Sequence, residues 1–270
     1  MNGRVYRLVH GPADLLSLWQ PRVVWEFTPD IGDTGPAGMS AALAALRGWL
    51  EREVPDAERG EDTAVQITWP SHDVAVSRAL LAHGLVPTTV LATRPKGPAP
   101  LQPPRADVRV RVASMGDVDE VARIVGAEMR FSADVLGATP RANADRLLRA
   151  GARGAVYYDG RVYLAEVDGV ATAAAVCSVL DPKQSRTMAG RLPAGRWGFI
   201  GQFAVLPDAR GSGVGGVLFA EVLRLLEPDT RHGTFLYYEP ANPLSSVFWP
   251  RRGYRPVRTR WVCRPAAWLR

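Results

Sequence analysis

Val205-Leu206-Pro207-Asp208-Ala209-Arg210-Gly211-Ser212-Gly213-Val214-Gly215-Gly216 lies between two apolar segments of this 270-residue chain. Phe199-Ile200-Gly201-Gln202-Phe203-Ala204-Val205 precedes the glycines and reads as a strand, whereas Val217–Leu226 carries apolar residues at helical spacing. A strand that turns through glycines into a helix start gathers several backbone N–H groups at one point. The positive end of the helix dipole lies there too, so the turn suits a phosphate group. Arg210 adds a fixed positive charge beside it.

Several folds use such a turn. Gly211-Ser212-Gly213-Val214-Gly215-Gly216 fits the dinucleotide fingerprint G-x-G-x-x-G, but only 54 residues follow Gly216, too few for a doubly wound sheet. A Walker A loop requires Gly-Lys-Ser/Thr at its end, and no lysine stands here. A purely structural strand–turn–helix accounts for isolated glycines. The longer string Val205-x-Pro207-x-x-Arg210-Gly211-x-Gly213-Val214-Gly215 resembles the acyl-CoA motif of the GNAT family of N-acetyltransferases, Q/R-x-x-G-x-G/A with a V-x-P lead-in.

That resemblance implies acetyl-CoA as the donor. Backbone groups of Phe203, Ala204 and Val205 would bond the pantetheine arm, and Arg210, Gly211, Ser212, Gly213, Val214 and Gly215 would hold the pyrophosphate. Asn242 matches an asparagine that contacts pantetheine in the family, although capping of the short helix after Pro243 explains it equally well. Ser245 and Ser246 follow in that helix and are expected near the cofactor.

The proton chemistry departs from the family pattern. Phe248-Trp249-Pro250-Arg251-Arg252-Gly253-Tyr254 keeps the frame of F-Y-x-x-x-G-F but places Trp249 in the tyrosine slot. An indole N–H is too weak an acid to protonate a leaving thiolate. Trp197–Leu206 holds no carboxylate, so a base from the motif strand is missing as well. Tyr237 and Glu239 become the nearest candidate catalytic groups, with packing as the competing explanation. Tyr237 and Tyr238 must point to opposite faces of their strand.

The rest of the chain sets the context. There are 33 Lys+Arg against 27 Asp+Glu; residues 1–100 hold 9 against 11, and the remainder 24 against 16. A basic C-terminal part suits a polyanionic cofactor, and the scattered arginines form no run that would track a nucleic acid. No stretch is long and apolar enough for a membrane span, and no signal peptide opens the chain. Two cysteines make no disulfide framework or metal site. These features predict a cytoplasmic protein, with a small-molecule amine as partner and oligomeric state open.

Arg94–Pro104 contains five prolines and reads as a linker. Beyond it, strand Val108–Val112, a helix from a Ser114 cap through Val125, a second helix over Asn143–Ala150, and strand, turn, strand over Ala155–Val167 are expected. Strand Val170–Leu180 follows, then a loop Asp181–Arg196 placed to face the acceptor. The order β-α-α-β-β-β-α-β-α-β matches a GNAT domain. An internal repeat appears upstream: Val65–Pro70, helix, Gly84-Leu85-Val86-Pro87, strand parallels Phe235–Pro240, helix, Gly253-Tyr254-Arg255-Pro256, strand. The expectation is an α/β chain with a mixed sheet. It comprises a degenerate GNAT-like unit over 1–95 without the CoA loop, a linker over 96–105, and a catalytic GNAT domain over 106–270. A small-molecule N-acetyltransferase is the leading function; protein N-terminal or lysine acetylation and CoA sensing without turnover are the alternatives.

Overall fold

The glycine turn joins strand and helix as its sequence requires. In the computed structural model, which describes residues 2–98, 105–137, 139–185, 188 and 190–270, Trp197–Val205 is a strand (β8) and Val214–Leu226 a helix (α5). Upstream lie β1 (Gly3–Val9), β2 (Val23–Pro29), α1 (Gly35–Glu53), β3 (Thr63–Pro70), α2 (Val74–Ala82) and β4 (Val86–Pro95). Then come β5 (Val108–Val112), α3 (Val118–Leu136), α4 (Ala144–Gly154), β6 (Val162–Val167) and β7 (Val170–Leu180). After α5 follow β9 (Gly233–Tyr238), α6 (Ser245–Arg251) and β10 (Arg255–Cys263).

All ten strands form one mixed sheet in the order β1-β2-β3-β10-β4-β9-β8-β7-β6-β5. The last strand of the chain therefore sits between β3 and β4, and β4 sits between β10 and β9. Each half of the chain completes the sheet of the other. One face carries α1 and α2 over Val65, Ile67, Trp261 and Cys263, and α5 over Ala175, Ile200, Leu236 and Tyr238. The opposite face of β6–β8 packs on α3 and α4 through Leu164, Ala174 and Ala204, with Val121, Val125 and Met129 from α3. Met188 and Leu192, from the loop between β7 and β8, extend that layer over Leu91 and Phe235.

The expected repeat is present as strand–helix–strand in both halves. Gly84 after α2 has φ +85° and Gly253 after α6 has φ +87°, so both turns use the left-handed region that favours glycine. Two expectations need correction. Ala155–Asp159 is no strand: it prolongs α4 as a π-helical turn closed by Gly160, whose N–H bonds to Ala155 O. Val156 stays in the core while Tyr157 and Tyr158 are exposed, so burial of an amphipathic face overrides the β preference of Val-Tyr-Tyr. The first helix also continues past Val125 to Leu136, behind a Ser114–Asp117 capping box.

The start of the proline-rich segment is fixed in place. Arg94 is buried at the end of β4, pairs with Glu227 at 2.7 Å, and donates to the carbonyls of Pro95, Gly97 and Pro98. Residues 99–104 lie outside the described residues. Arg94→Ala would leave the Glu227 carboxylate buried without its partner. We expect a loss of about 3 kcal/mol in urea unfolding; an unchanged midpoint would show that this pair does not secure β4.

Candidate acyl-CoA site

The site begins where two parallel strands part. β8 pairs with β9 only at Gly198↔Thr234, Phe199↔Phe235 and Ile200↔Leu236. On its other edge, Val176 pairs with Gln202 and Cys177 with Ile200, leaving Gly201 as a bulge. From there β8 follows β7 alone, with Ala175↔Phe203, Ala174↔Ala204 and Ala173↔Val205. Phe203–Val205 therefore present a backbone edge unpaired by β9, the kind of edge that bonds an extended amide chain.

The turn that follows is built for an anion. Gly211 has φ +76° and Gly213, which caps α5, has φ +91°. A Cβ on Gly215 would approach Val205 Cγ2 to 3.2 Å, so glycine lets α5 start close to β8 without displacing Val205. Among the described residues, the N–H groups of Gly211, Ser212, Gly213, Val214 and Gly215 have no acceptor; the first return bonds are Gly216 and Val217 to Gly213 O. Five free donors at a helix N-terminus fit a pyrophosphate.

Arg210 behaves differently from expectation. Its Nε donates to Val205 O at 3.1 Å, and its guanidinium lies over the Phe131 ring at 5.0 Å. It braces the turn against β8 and α3 and engages one of the carbonyls assigned to pantetheine. Arg105 is a basic residue at the loop that the sequence did not flag: it donates to Ser212 O and pairs with Asp107.

Asn242 is buried and caps α6, accepting from the N–H groups of Leu244 at 3.0 Å and Ser245 at 3.3 Å. Its Nδ2 donates to Ser132 Oγ at 3.2 Å, and Ser132 donates to Glu128 Oε1 at 2.6 Å. Asn242 therefore ties α6 to α3 across the open end of the wedge. Ser245 donates to Glu239 O at 3.1 Å, while Ser246 gives its N–H to Asn242 O at 3.0 Å. Trp249 is core, edge-on to Phe203 at 5.3 Å and to Tyr254 at 5.4 Å. α6 offers no acid in the tyrosine slot.

Tyr237 and Tyr238 face opposite sides of the sheet. Tyr238 packs in the layer under α5, whereas Tyr237 joins Phe199 and Phe235 on the other face and donates to Met188 Sδ at 2.8 Å. Glu239, one step beyond Tyr238, is the carboxyl whose titration the wedge shifts most clearly towards neutrality. Burial pushes its carboxyl up to about 7, Glu128 pushes the same way, and its own backbone N–H and Arg260 oppose the rise. Burial also raises Glu128 above the ordinary carboxylate range, against its bond from Ser132 and the charge of Arg210. Glu128 and Ser132, at i,i+4 spacing, interrupt the apolar stripe Val121, Val125, Met129 of α3. That break was the available sequence signal for them.

Residues 135–254 match the acetyltransferase (GNAT) family. The chain has a GNAT fold. A GCN5-related N-acetyltransferase from Sphaerobacter thermophilus aligns over 97% of this chain and 76% of its own, with TM-score 0.58 and 15% identity. A GNAT acetyltransferase from Colwellia psychrerythraea aligns over 89% and 77%, with TM-score 0.55 and 11% identity. One from Kribbella flavida covers 96% and 88%, with TM-score 0.50 and 16% identity. No curated protein matches the chain in sequence. Among the described residues, no group of three or more His, Cys, Asp or Glu could hold a metal, and no helix is long and apolar enough to cross a membrane.

The raised Glu239 carboxyl has a consequence for stability. The folded state holds its proton more tightly than the unfolded chain, whose ordinary value is 4.5. Stability is therefore full below about 4.5 and falls as pH rises through about 7, by at most about 3 kcal/mol from this group. Glu239→Gln is expected to flatten that part of the pH–stability curve in denaturant titrations. An identical curve for the variant would refute the shift.

Proposed function

We propose that the chain is an acyl-CoA-dependent N-acetyltransferase that transfers acetyl from acetyl-CoA to a primary amine of a small molecule in a ternary complex. The observation that carries this reading is the coincidence of three features at the parting of β8 and β9. These are an unpaired strand edge, five free N–H donors at the start of α5, and a buried carboxyl with its pKa near neutrality. Acetyl-CoA, when bound, supplies an activated thioester carbonyl. Phe203–Val205 would hold the pantetheine arm and Gly211–Gly215 the pyrophosphate.

Glu239 then serves as the general base. At neutral pH a carboxyl of this kind is partly ionised and basic enough to take a proton from an ammonium or an attacking amine. Tyr237 lies on the same face by strand alternation and borders the acceptor side. With Trp249 buried among aromatic rings, α6 provides no acid for the departing sulfur, so the rate rests on positioning and on Glu239. The buried Glu239–Glu128 pair favours turnover over a CoA sensor, which would gain nothing from a desolvated base.

We further propose that residues 1–95 are a degenerate GNAT-like unit placed ahead of a catalytic domain over 106–270, in a cytoplasmic protein. Its support is topological. β2 and β3 run parallel through Val23↔Thr63 to Glu26↔Gln66 and then continue unpaired with each other, as β8 and β9 do. The turn after β2 carries Asp30 and Asp33, and Pro36 removes a donor from the first turn of α1, so this copy repels a pyrophosphate.

Two experiments test the reading. Gly213→Asp adds a side chain at φ +91° and a negative charge among the loop donors. Calorimetry should show CoA affinity reduced by more than about 100-fold, and retained affinity would move the cofactor elsewhere. For Glu239→Gln, kcat on an accepted amine should fall by about 100-fold, with little change in the KM for acetyl-CoA. The variant should also lose the limb of the wild-type pH profile that rises through about 7. A variant with the wild-type profile would exclude Glu239 as base.

A further inference from the structure

The face of the sheet that carries Tyr237 also carries an excess of half-buried positive charge. β10 presents Arg258 and Arg260 to that face: Arg258 pairs with Leu91 and Pro70, and Arg260 with Thr89 and Thr68. Leu91 and Tyr237 are partners in the next ladder and pack together in one apolar cluster, which fixes which face this is. The Arg260 guanidinium lies 5.7 Å from the centre of the Tyr237 ring. Arg191, from the loop between β7 and β8, joins them and is bonded to Glu26 of β2 at 2.7 Å.

Three guanidinium groups here have one committed carboxylate, Glu26. Among the described residues, the Arg258 side chain makes only a long 3.4 Å bond to Gly190 O, and its Nε is buried without a partner. Among the described residues, the Arg260 guanidinium makes no hydrogen bond or ion pair, and its Nε is likewise buried and unpartnered. Thr68 Oγ1, on the residue directly opposite Arg260, is a third orphan on the same pair of strands. Burial depresses the pKa of Arg258 and Arg260, and Arg191 adds to it. Both arginines are half-buried, with Nε sealed off and the charge uncompensated by a carboxylate, so three orphaned polar atoms on adjacent strands mark a place that an anion would complete.

Glu239 lies within reach of the same anion. Val90 pairs with Tyr238 and Thr89 with Arg260, so Glu239 falls in line with Arg260 two strands away, about 10 Å between backbones. Both side chains leave the same face of the sheet, so a compact molecule lying across β4 would span from one to the other. One end of that molecule would meet a guanidinium fork and the other a basic carboxylate.

We propose that Arg260 and Arg258, with Thr68 beside them, bind a carboxylate of the acceptor, so that the acceptor is a compact amine bearing a carboxylate, of amino-acid type. This rests on the acetyltransferase reading for the amine end and on the orphaned guanidiniums for the acid end. Arg191, held by Glu26, keeps the cluster positive and repels cationic amines, which polyamine acceptors would present.

The test uses the full-length protein and two readouts. Thiol release from acetyl-CoA is followed with L-amino acids, their carboxamides, the corresponding decarboxylated amines and amino-alkyl phosphates. Calorimetry measures binding of the same compounds. The preferred amino acid should exceed its carboxamide in kcat/KM by about 100-fold or more. Arg260→Gln should collapse that ratio towards unity through KM, and Arg260→Lys should restore part of it. Equal use of acid and amide by the wild type, which needs no variant to fold, would overturn the carboxylate site; so would a preference for phosphates or for neutral amines. Amino acids that bind with the same Arg260 dependence but are never acetylated would overturn the acetyltransferase reading and leave the anion site standing. If no carboxylate binds the wild type in calorimetry, the site is refuted whatever the activity.

Discussion

Strands β8 and β9 are held together by only three paired positions, and the chemistry of the molecule depends on where that pairing stops. A parallel pair buried in the middle of a sheet would ordinarily continue, since each unpaired backbone group in a dry interior costs free energy. Here the bulge at Gly201 takes β8 off register with β7, and β8 leaves its neighbour. The polar edge exposed by this departure can bond an extended amide chain.

The surrounding elements hold that opening in place. Asn242 and Ser132 link α6 to α3 across it, Arg210 braces the turn against Val205 and Phe131, and Phe203, Phe248 and Trp249 form an aromatic wall beside α5. The interleaving of β4 and β10 closes the remaining side, because the edge of β9 away from β8 is hydrogen-bonded along β4. An N-terminal unit whose own turn is acidic therefore still has a mechanical role: it supplies a strand without which the wedge would have a free edge.

Much of this was legible in the chain. The glycine turn, its flanking strand and helix, the capping role of Asn242 and the absence of an acid at Trp249 all follow from local pattern, and local pattern is what α5 and α6 obey. The strand read into Val156-Tyr157-Tyr158 failed because residue preference there yields to continuation of α4. Glu128 and the Arg258–Arg260 pair were not found for a different reason. Arg258-Thr259-Arg260 reads as the solvated stripe of an edge strand, and only the insertion of β10 between β3 and β4 turns those arginines inward. Contacts between residues about 190 positions apart, such as Thr68 and Arg260, leave no trace in local periodicity.

The central claim is that the parted edge of β8 and the turn before α5 together receive the acyl-CoA. Amide hydrogen exchange with and without acetyl-CoA reads both at once. The account predicts new protection across Gly201–Val205 and Gly211–Gly215, with none at the acidic turn over residues 30–34. Protection confined to the β2–α1 region, or none in β8 under saturating acetyl-CoA, would contradict it.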